Sequence, residues 1–352
     1  MKENYIKSLE LTNFTAFDKI DFEFSPGINV FIGANGMGKT HLLKTLYCMI
    51  SLIYRNRVAD EEVNILSKFI KVFLPDGPIF GHIIRRGENE AYVKFGLNGF
   101  NEVFELDIRE RGVTVPGPSL FLLKDRLDRE RSIVFVPTKE ILSNSFGFVP
   151  LYEKRELYSE EMYYDILIHA YTPALKFKGD EPFYGFLDEI ENVIGGKVKE
   201  KGGRFYLEDG RGHLEFTLLA EGFSKLGLLW LLINNGSIEP GCTLFWDEPE
   251  TNLNPSLLRL VVKILLELQR HDVQIFVATH NYVLLKEFDL QMEEMDGVMF
   301  HSLYRDEKER SIKRKSTGNY LGIYPNVISE TYLDIYEKGL RRNSEKKEPN
   351  RD

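Results

Sequence analysis

Residues 33–40 read Gly33-Ala34-Asn35-Gly36-Met37-Gly38-Lys39-Thr40, and their flanks decide the fold. Immediately before them, Ile28-Asn29-Val30-Phe31-Ile32 is a short apolar run that predicts a buried strand. After them, Leu42, Leu43, Leu46, Tyr47, Ile50 and Ile53 recur at helical spacing. Strand, glycine-rich loop and helix therefore follow in the order of a phosphate-binding loop. The glycines, Gly36 and Gly38 among them, let the chain curl so that backbone N–H groups point inward at phosphate oxygens. The helix that follows adds the positive end of its dipole. In such a loop Lys39 is expected to reach the β and γ phosphates and the Thr40 hydroxyl to hold Mg²⁺. ATP with Mg²⁺ is the expected ligand pair.

Two further strand ends carry chemistry. Leu244-Phe245-Trp246-Asp247-Glu248-Pro249 is an apolar strand running into an acidic pair. Downstream of a phosphate loop, Asp247 is expected to hold Mg²⁺ and Glu248 to polarise the attacking water as general base. Val277-Ala278-Thr279-His280 is the next strand end, and a histidine there can contact the γ phosphate. Between them, Pro249-Glu250-Thr251-Asn252-Leu253-Asn254-Pro255 reads as a capped helix start.

Taken together, Asn-Gly-x-Gly-Lys-Thr, Asp-Glu-Pro-Glu-Thr-Asn-Leu-Asn-Pro and Ala-Thr-His-Asn resemble an ABC-type ATPase head. The similarity is to the SMC-like and OLD-like branch, which serves DNA repair and bacterial antiphage defence. The opening Leu9-Glu10-Leu11-Thr12-Asn13-Phe14 resembles that branch's first strand and turn. The resemblance covers residues 1–50, 133–140 and 215–290. It implies an α/β P-loop NTPase fold with an antiparallel sub-sheet, and ATP hydrolysis to ADP and phosphate. It also implies a homodimer, or a higher homo-oligomer, in which two heads sandwich the nucleotides. In that scheme Asn35 helps cradle the γ phosphate, residues 252–254, with Asn254, form a loop across the dimer interface, and His280 is the switch histidine. The signature segment falls at Ala220-Glu221-Gly222-Phe223-Ser224-Lys225, whose Glu221 and Gly222 complete the partner's site. It departs from Leu-Ser-Gly-Gly-Gln, because alanine stands where serine contacts the γ phosphate. The coupling glutamine expected after the Ile133-Val134-Phe135-Val136 strand is absent, and Thr138 or Glu140 stands there instead.

Composition bounds the rest. Of 352 residues, 43% are hydrophobic and 28% charged, which suits a globular chain with a large core. A net charge of −9 argues against a surface coated for nucleic acid, though a local basic patch and nucleic-acid contact stay open. The two cysteines, Cys48 and Cys242, sit in apolar runs and read as free buried thiols. The N-terminus has no signal core, and no apolar run approaches the roughly 20 residues a membrane span needs, so a cytoplasmic location is expected. One ABC-type ATPase domain is expected over residues 1–342, with two lid-forming inserts at about 55–130 and 141–215. A disordered charged tail is expected over residues 343–352. The inserts carry no sustained heptads, which excludes a long coiled-coil arm. The 72 residues after His280 hold no nuclease-type acidic cluster, so any nuclease or toxin activity would belong to a partner effector. The resemblance implies that nucleotide-driven pairing of heads controls a partner effector, a nuclease or toxin of antiviral defence; a transporter subunit, a non-hydrolysing scaffold and a DNA-repair ATPase are the alternative functions.

Overall fold

The computed structural model describes residues 4–55, 61–76, 80–117, 131–155, 157–176 and 181–345. In chain order its strands are β1 (Ile6–Phe14), β2 (Phe17–Glu23), β3 (Ile28–Ile32), β4 (Glu90–Leu97), β5 (Val103–Arg109), β6 (Gly112–Thr114) and β7 (Ile133–Val136), followed by β8 (Lys197–Lys201), β9 (Arg204–Asp209), β10 (Gly212–Glu215), β11 (Thr243–Asp247), β12 (Gln274–Thr279), β13 (Val298–Arg305) and β14 (Ile312–Thr317). The helices are α1 (Lys39–Arg55), α2 (Glu61–Phe73), α3 (Phe148–Arg155), α4 (Glu161–Ala170), α5 (Glu181–Tyr184) and α6 (Leu187–Ile194), then α7 (Glu221–Asn234), α8 (Leu258–Arg270), α9 (Tyr282–Gln291) and α10 (Val327–Glu345).

A six-stranded sheet in the order β14-β13-β3-β12-β11-β7 forms the centre. All its neighbours pair in parallel except the edge strand β14, which runs antiparallel to β13. Every residue of β3, β7, β11 and β12 is buried, as expected of parallel strands covered on both faces. Alternate residues serve different cores. Ile28, Val30, Ile32, Leu244, Trp246, Ile275 and Val277 face one side, where α4, α7, α8 and α9 pack. Phe31, Phe135, Phe245, Phe276 and Ala278 face the other, toward α1 and a second sheet. There Phe135, Phe245 and Phe276 stack across three strands, with centroids 6.1 and 5.1 Å apart. Each such fully buried ring contributes about 1.5–3 kcal/mol over an exposed one.

The second sheet, β2-β1-β4-β5-β6, is antiparallel throughout. The strands of the first insert thus extend the N-terminal sub-sheet instead of standing over the site. The second insert supplies the three-stranded sheet β10-β9-β8 and helices α3–α6, and its residues Glu160, Met162 and Tyr163 line the cavity beside the acidic pair. Helix α1 lies between the two layers, and residues 42–50 are buried all round. A polar seam fastens α4 to it. Lys44 pairs with Glu160 at 2.6 Å, Lys68 of α2 reaches Glu161 at 3.0 Å, and the Tyr47 hydroxyl donates to Asp165. Both cysteines are free and buried, and burial pushes the Cys242 thiol up to about 12.

Three elements add to the sequence expectations. The basic residues 313–315 lie on β14, an edge strand on which Ile312 is buried while Lys315 and Ser316 are exposed. Helix α9 follows His280 directly, capped by Asn281, whose Oδ1 accepts from the Leu284 N–H. Helix α10 runs through to Glu345, into the segment expected to be disordered, and residues 346–352 lie outside the described part.

His301 of β13 sits wholly buried among the rings of Phe22, Phe24 and Phe31. Its ring nitrogens meet Ser316 Oγ at 2.7 Å and Asn29 Oδ1 at 3.3 Å. Burial, aided by Arg314, lowers its pKa to about 3, so the folded state holds it neutral. A depressed pKa makes this contribution complete above the ordinary histidine pKa of about 6.5, and acid removes it progressively toward the folded value. From this group alone, stability should fall by roughly 1.4 kcal/mol per pH unit below about pH 6. Urea titrations at pH 7 and 5 check this, and His301→Gln should flatten the difference.

Candidate functional site

The parallel register assembles the site. Ile32 pairs with Thr279, and Ala278 with Asp247, so β3, β12 and β11 end at one level. Trp246 pairs with Val136, which brings the end of β7 alongside. The glycine loop, the acidic pair, His280 and Thr138 therefore share the carboxyl edge of one sheet, where open α/β folds bind ligands.

The loop is shaped by its glycines. Gly36 and Gly38 have φ of +80° and +79°, which a side chain would strain. A Cβ on Gly38 would also strike the ring of Phe17. Asn35 and Gly36 are exposed at the loop's tip. Lys39, only 7% exposed, folds back so that its Nζ donates to the carbonyls of Gly33 at 2.7 Å and Ala34 at 3.1 Å. Burial lowers its pKa, and the negative charges of Glu248, Asp247 and Glu250 act in the opposite direction.

Asp247 is the convergence point. It accepts from the Thr40 hydroxyl at 3.0 and 3.2 Å and from the Thr138 hydroxyl at 3.1 Å. Burial pushes its carboxyl pKa up, and the two hydroxyl bonds oppose that shift. A carboxylate with adjacent hydroxyl oxygens is a hard donor set that fits Mg²⁺, which keeps waters and phosphate oxygens for its remaining positions. Among the described residues no cluster of three or more His, Cys, Asp or Glu forms a self-sufficient metal cage. Thr40 and Asp247 would hold Mg²⁺ there.

Glu248 has φ of +49°, a left-handed conformation that a glutamate rarely adopts and that strained sites tolerate. Its N–H donates to Ala278 O at 2.9 Å, its Oε1 lies 3.0 Å from His280 Nδ1, and its Oε2 accepts from Thr251 Oγ1 at 3.3 Å. The two candidate catalytic groups are thus in direct contact. A cavity of about 590 Å³ opens beside them, lined by Thr40, Lys44, Thr138, Tyr163, Asp247 and Glu248 among others. A larger groove of about 720 Å³ lies between α6 and α8, away from this chemistry.

The two residues left open after β7 separate clearly. Thr138 faces Asp247, whereas Glu140 is occupied locally, its carboxylate accepting from the N–H groups of Leu142 and Ser143. Two further residues carry roles that sequence reading did not assign. Glu250, 7% exposed, accepts from Thr279 Oγ1 at 2.7 Å and the His280 N–H at 3.1 Å, holding the histidine's backbone from behind. Its place in Asp-Glu-Pro-Glu was the available signal. Lys225, 2% exposed, finds no hydrogen-bond partner for its Nζ among the described residues and feels the charges of Glu221, Glu250, Glu248 and Asp247. Burial lowers its pKa. It closes the signature segment, in which sequence reading gave roles to Glu221 and Gly222 only.

Glu221 and Gly222 open α7 on the far side of the turn at residues 252–254. A Cβ on Gly222 would lie 2.7 Å from the Asn252 carbonyl oxygen, so only glycine lets these segments touch. Asn254 is exposed and caps the short helical turn after it, accepting from Ser256 N–H at 3.0 Å. Among the described residues no hydrogen bond joins Glu221, Gly222 or Asn254 to Lys39, Thr40 or Asp247. Within the basic clusters at 85–86, 126–131 and 305–315, ion pairs form among the described residues: Arg85 with Asp18, Lys313 with Glu309 and Arg314 with Asp21. Residues 126–130 lie outside the described part.

The family described as "AAA domain, putative AbiEii toxin, Type IV TA system" matches residues 28–286, which is most of the chain and all of the site. The chain belongs to this AAA-domain family. It carries the P-loop ATPase fold of that family. Among curated proteins this AAA domain is similar to the DNA replication and repair protein RecF. The Streptococcus uberis protein is 45% identical over 65 residues, covering 18% of each chain. The Clostridium kluyveri protein is 27% identical over 173 residues, covering 46% of this chain and 42% of that one. The chain thus spans less than half the length of these relatives. Solved structures share the fold. An Smc head bound to the C-winged helix domain of ScpA superposes with a TM-score of 0.57 at 17% identity, covering 89% of this chain and 97% of that one. The Pyrococcus furiosus Smc head with an extended coiled coil gives 0.55 at 14% identity, covering 95% and 99%. Among the described residues no helix is long and apolar enough to cross a membrane.

Proposed function

We propose that the protein binds Mg²⁺-ATP in the loop from Gly33 to Thr40 and hydrolyses it, two heads closing on two nucleotides. Closure then switches a partner effector, a nuclease or toxin. The observation that carries this reading is the oxygen cluster of Thr40, Thr138 and Asp247 beside a strained Glu248 in contact with His280. Lys39 would exchange its two carbonyl partners for phosphate oxygens. Asn35, Gly36 and Gly38 would wrap the phosphates with backbone N–H groups. Bound Mg²⁺ would neutralise phosphate charge. Glu248 Oε1 would accept a proton from the attacking water, with His280 Nδ1 orienting it. Among the described residues Glu221, Gly222 and Asn254 make no hydrogen bond to Lys39, Thr40 or Asp247, which leaves them to serve the site of a second head.

The family description, with its toxin and toxin–antitoxin terms, supports control of an effector. A second reading, a DNA-repair ATPase, is favoured by the similarity to RecF proteins. The two separate in one experiment. ATP turnover is measured for the purified chain alone, with linear duplex DNA, and with any protein that co-purifies from cells. Effector control predicts turnover that responds to the co-purifying protein and an effector activity that depends on ATP. Turnover stimulated by DNA with no protein partner would replace it with the repair reading. A chain that binds ATP and never turns it over would be a scaffold.

A further inference from the structure

Helix α10 leaves the body after its first turn. Ile328 is its last buried residue, and residues 330–343 are all exposed. Tyr332 stacks on Tyr282 of α9 at 4.5 Å, which roots the helix two residues from His280. Beyond that stack it stands in solvent. A free helix of about three turns is marginal in water even when built from good helix formers. This one also carries Gly339 and the β-branched Ile335, which weaken it further.

Three of the exposed apolar residues are ordered. Leu333, Tyr336 and Leu340 follow at spacings of three and four, the seam of a two-stranded coil, and are 60%, 66% and 52% exposed, while Ile335 lies off the seam. The charges between 330 and 342 are ordered too. Glu330, Asp334 and Glu337 come first, then Lys338, Arg341 and Arg342, before Glu345 ends the helix. Part of that order suits the helix's own dipole and its internal pairs, Asp334 with Lys338 at 2.5 Å and Glu337 with Arg341 at 3.7 Å. Such exposed pairs contribute little, and they leave the apolar seam without a function. A reversed copy of the same helix matches both features at once. Its basic end lies along the acidic end of the first, and the seam meets itself. A parallel copy would set like charges side by side.

We propose that α10 pairs antiparallel with α10 of a second copy of this chain, Tyr336 lying at the two-fold axis and each Leu333 meeting the other copy's Leu340. This contact is distinct from the nucleotide-sandwiched pairing of heads and does not depend on ATP. It joins one head to another through residues that do not line the nucleotide cavity, so the two contacts together build assemblies larger than a dimer.

The test is sedimentation velocity of the full chain without nucleotide, over roughly 5–100 μM, because a seam of this length is small for a specific interface. The expected result is a reversible monomer–dimer equilibrium. Leu333→Asp combined with Leu340→Asp should weaken it by at least about tenfold, since both residues are desolvated at the contact. Because α10 stands clear of the core, these variants should keep the melting temperature of the parent. Charge reversal gives the direction. Glu330→Lys with Asp334→Lys should weaken the dimer, as should Arg341→Glu with Arg342→Glu, and the four together should restore it. A monomer at the highest concentration, or a dimer that ignores the Asp substitutions, overturns the proposal. Failure of the fourfold variant to recover overturns the antiparallel arrangement. A monomer whose seam captures a different protein would assign the surface to that partner instead.

Discussion

Glu248→Gln should reduce ATP turnover by about 10²–10⁴-fold while leaving nucleotide binding nearly unchanged. Glutamine matches glutamate in volume; its Oε1 can still accept from His280 Nδ1, now 3.0 Å from Glu248 Oε1, and its Nε2 can donate to Thr251 Oγ1 where Glu248 Oε2 accepts at 3.3 Å. It cannot take a proton from water at neutral pH. The loss therefore falls on the chemical step and not on affinity. Phosphate release under saturating Mg²⁺-ATP reads kcat, and calorimetric titration reads binding. Turnover at the parental rate would remove Glu248 from the role of base. The same variant tests the pairing of heads, because an arrested nucleotide should hold them closed. Combining it with Leu333→Asp and Leu340→Asp removes the contact proposed for α10. ATP should then convert the protein from monomer to dimer, and a monomer at saturating ATP would count against the sandwich.

Lys39→Met should weaken Mg²⁺-ATP binding by roughly ten- to a hundredfold, the usual worth of a hydrogen bond to a charged partner. Methionine keeps most of the buried stem, so lost packing contributes little. Two effects oppose each other in the free protein. The ammonium's bonds to Gly33 and Ala34 hold the loop closed, while its burial is costly, as the lowered pKa records. The melting temperature without nucleotide should accordingly move little. The contrast appears on adding ATP. A ligand at a hundred times its Kd stabilises the parent by about 2.7 kcal/mol, and the variant should show only a fraction of that shift. An equal ATP-induced shift in both proteins would mean that Lys39 does not touch the phosphates.

The sequence alone carried the phosphate loop, the acidic pair and the strand–loop–helix order around them, because these depend on local chemistry. Glycine at 36 and 38 meets a positive φ, and an apolar run of five residues can be little else than a buried strand. The antiparallel start came only through the resemblance of residues 9–14 to the family's first strand, because β1 alternates in part and shifts register between Ile6 and Ser8. What the sequence left open were relations between residues far apart. Thr138 lies 109 residues from Asp247, and only the pairing of β7 with β11 sets them 3.1 Å apart. Thr138 and Glu140 were equal candidates until Glu140 was found capping its own turn. Lys225 looks like one polar residue in an apolar helix, and its burial beside Glu250 appears only when α7 packs under the acidic strand end. Strands β4–β6 read as a separate lid because strand pairing is a non-local choice, made by whichever edge is open. Local chemistry thus determined which groups could bind nucleotide. The register of five parallel strands decided which of them meet, because strand pairing sums many small contacts between segments that sequence proximity does not connect.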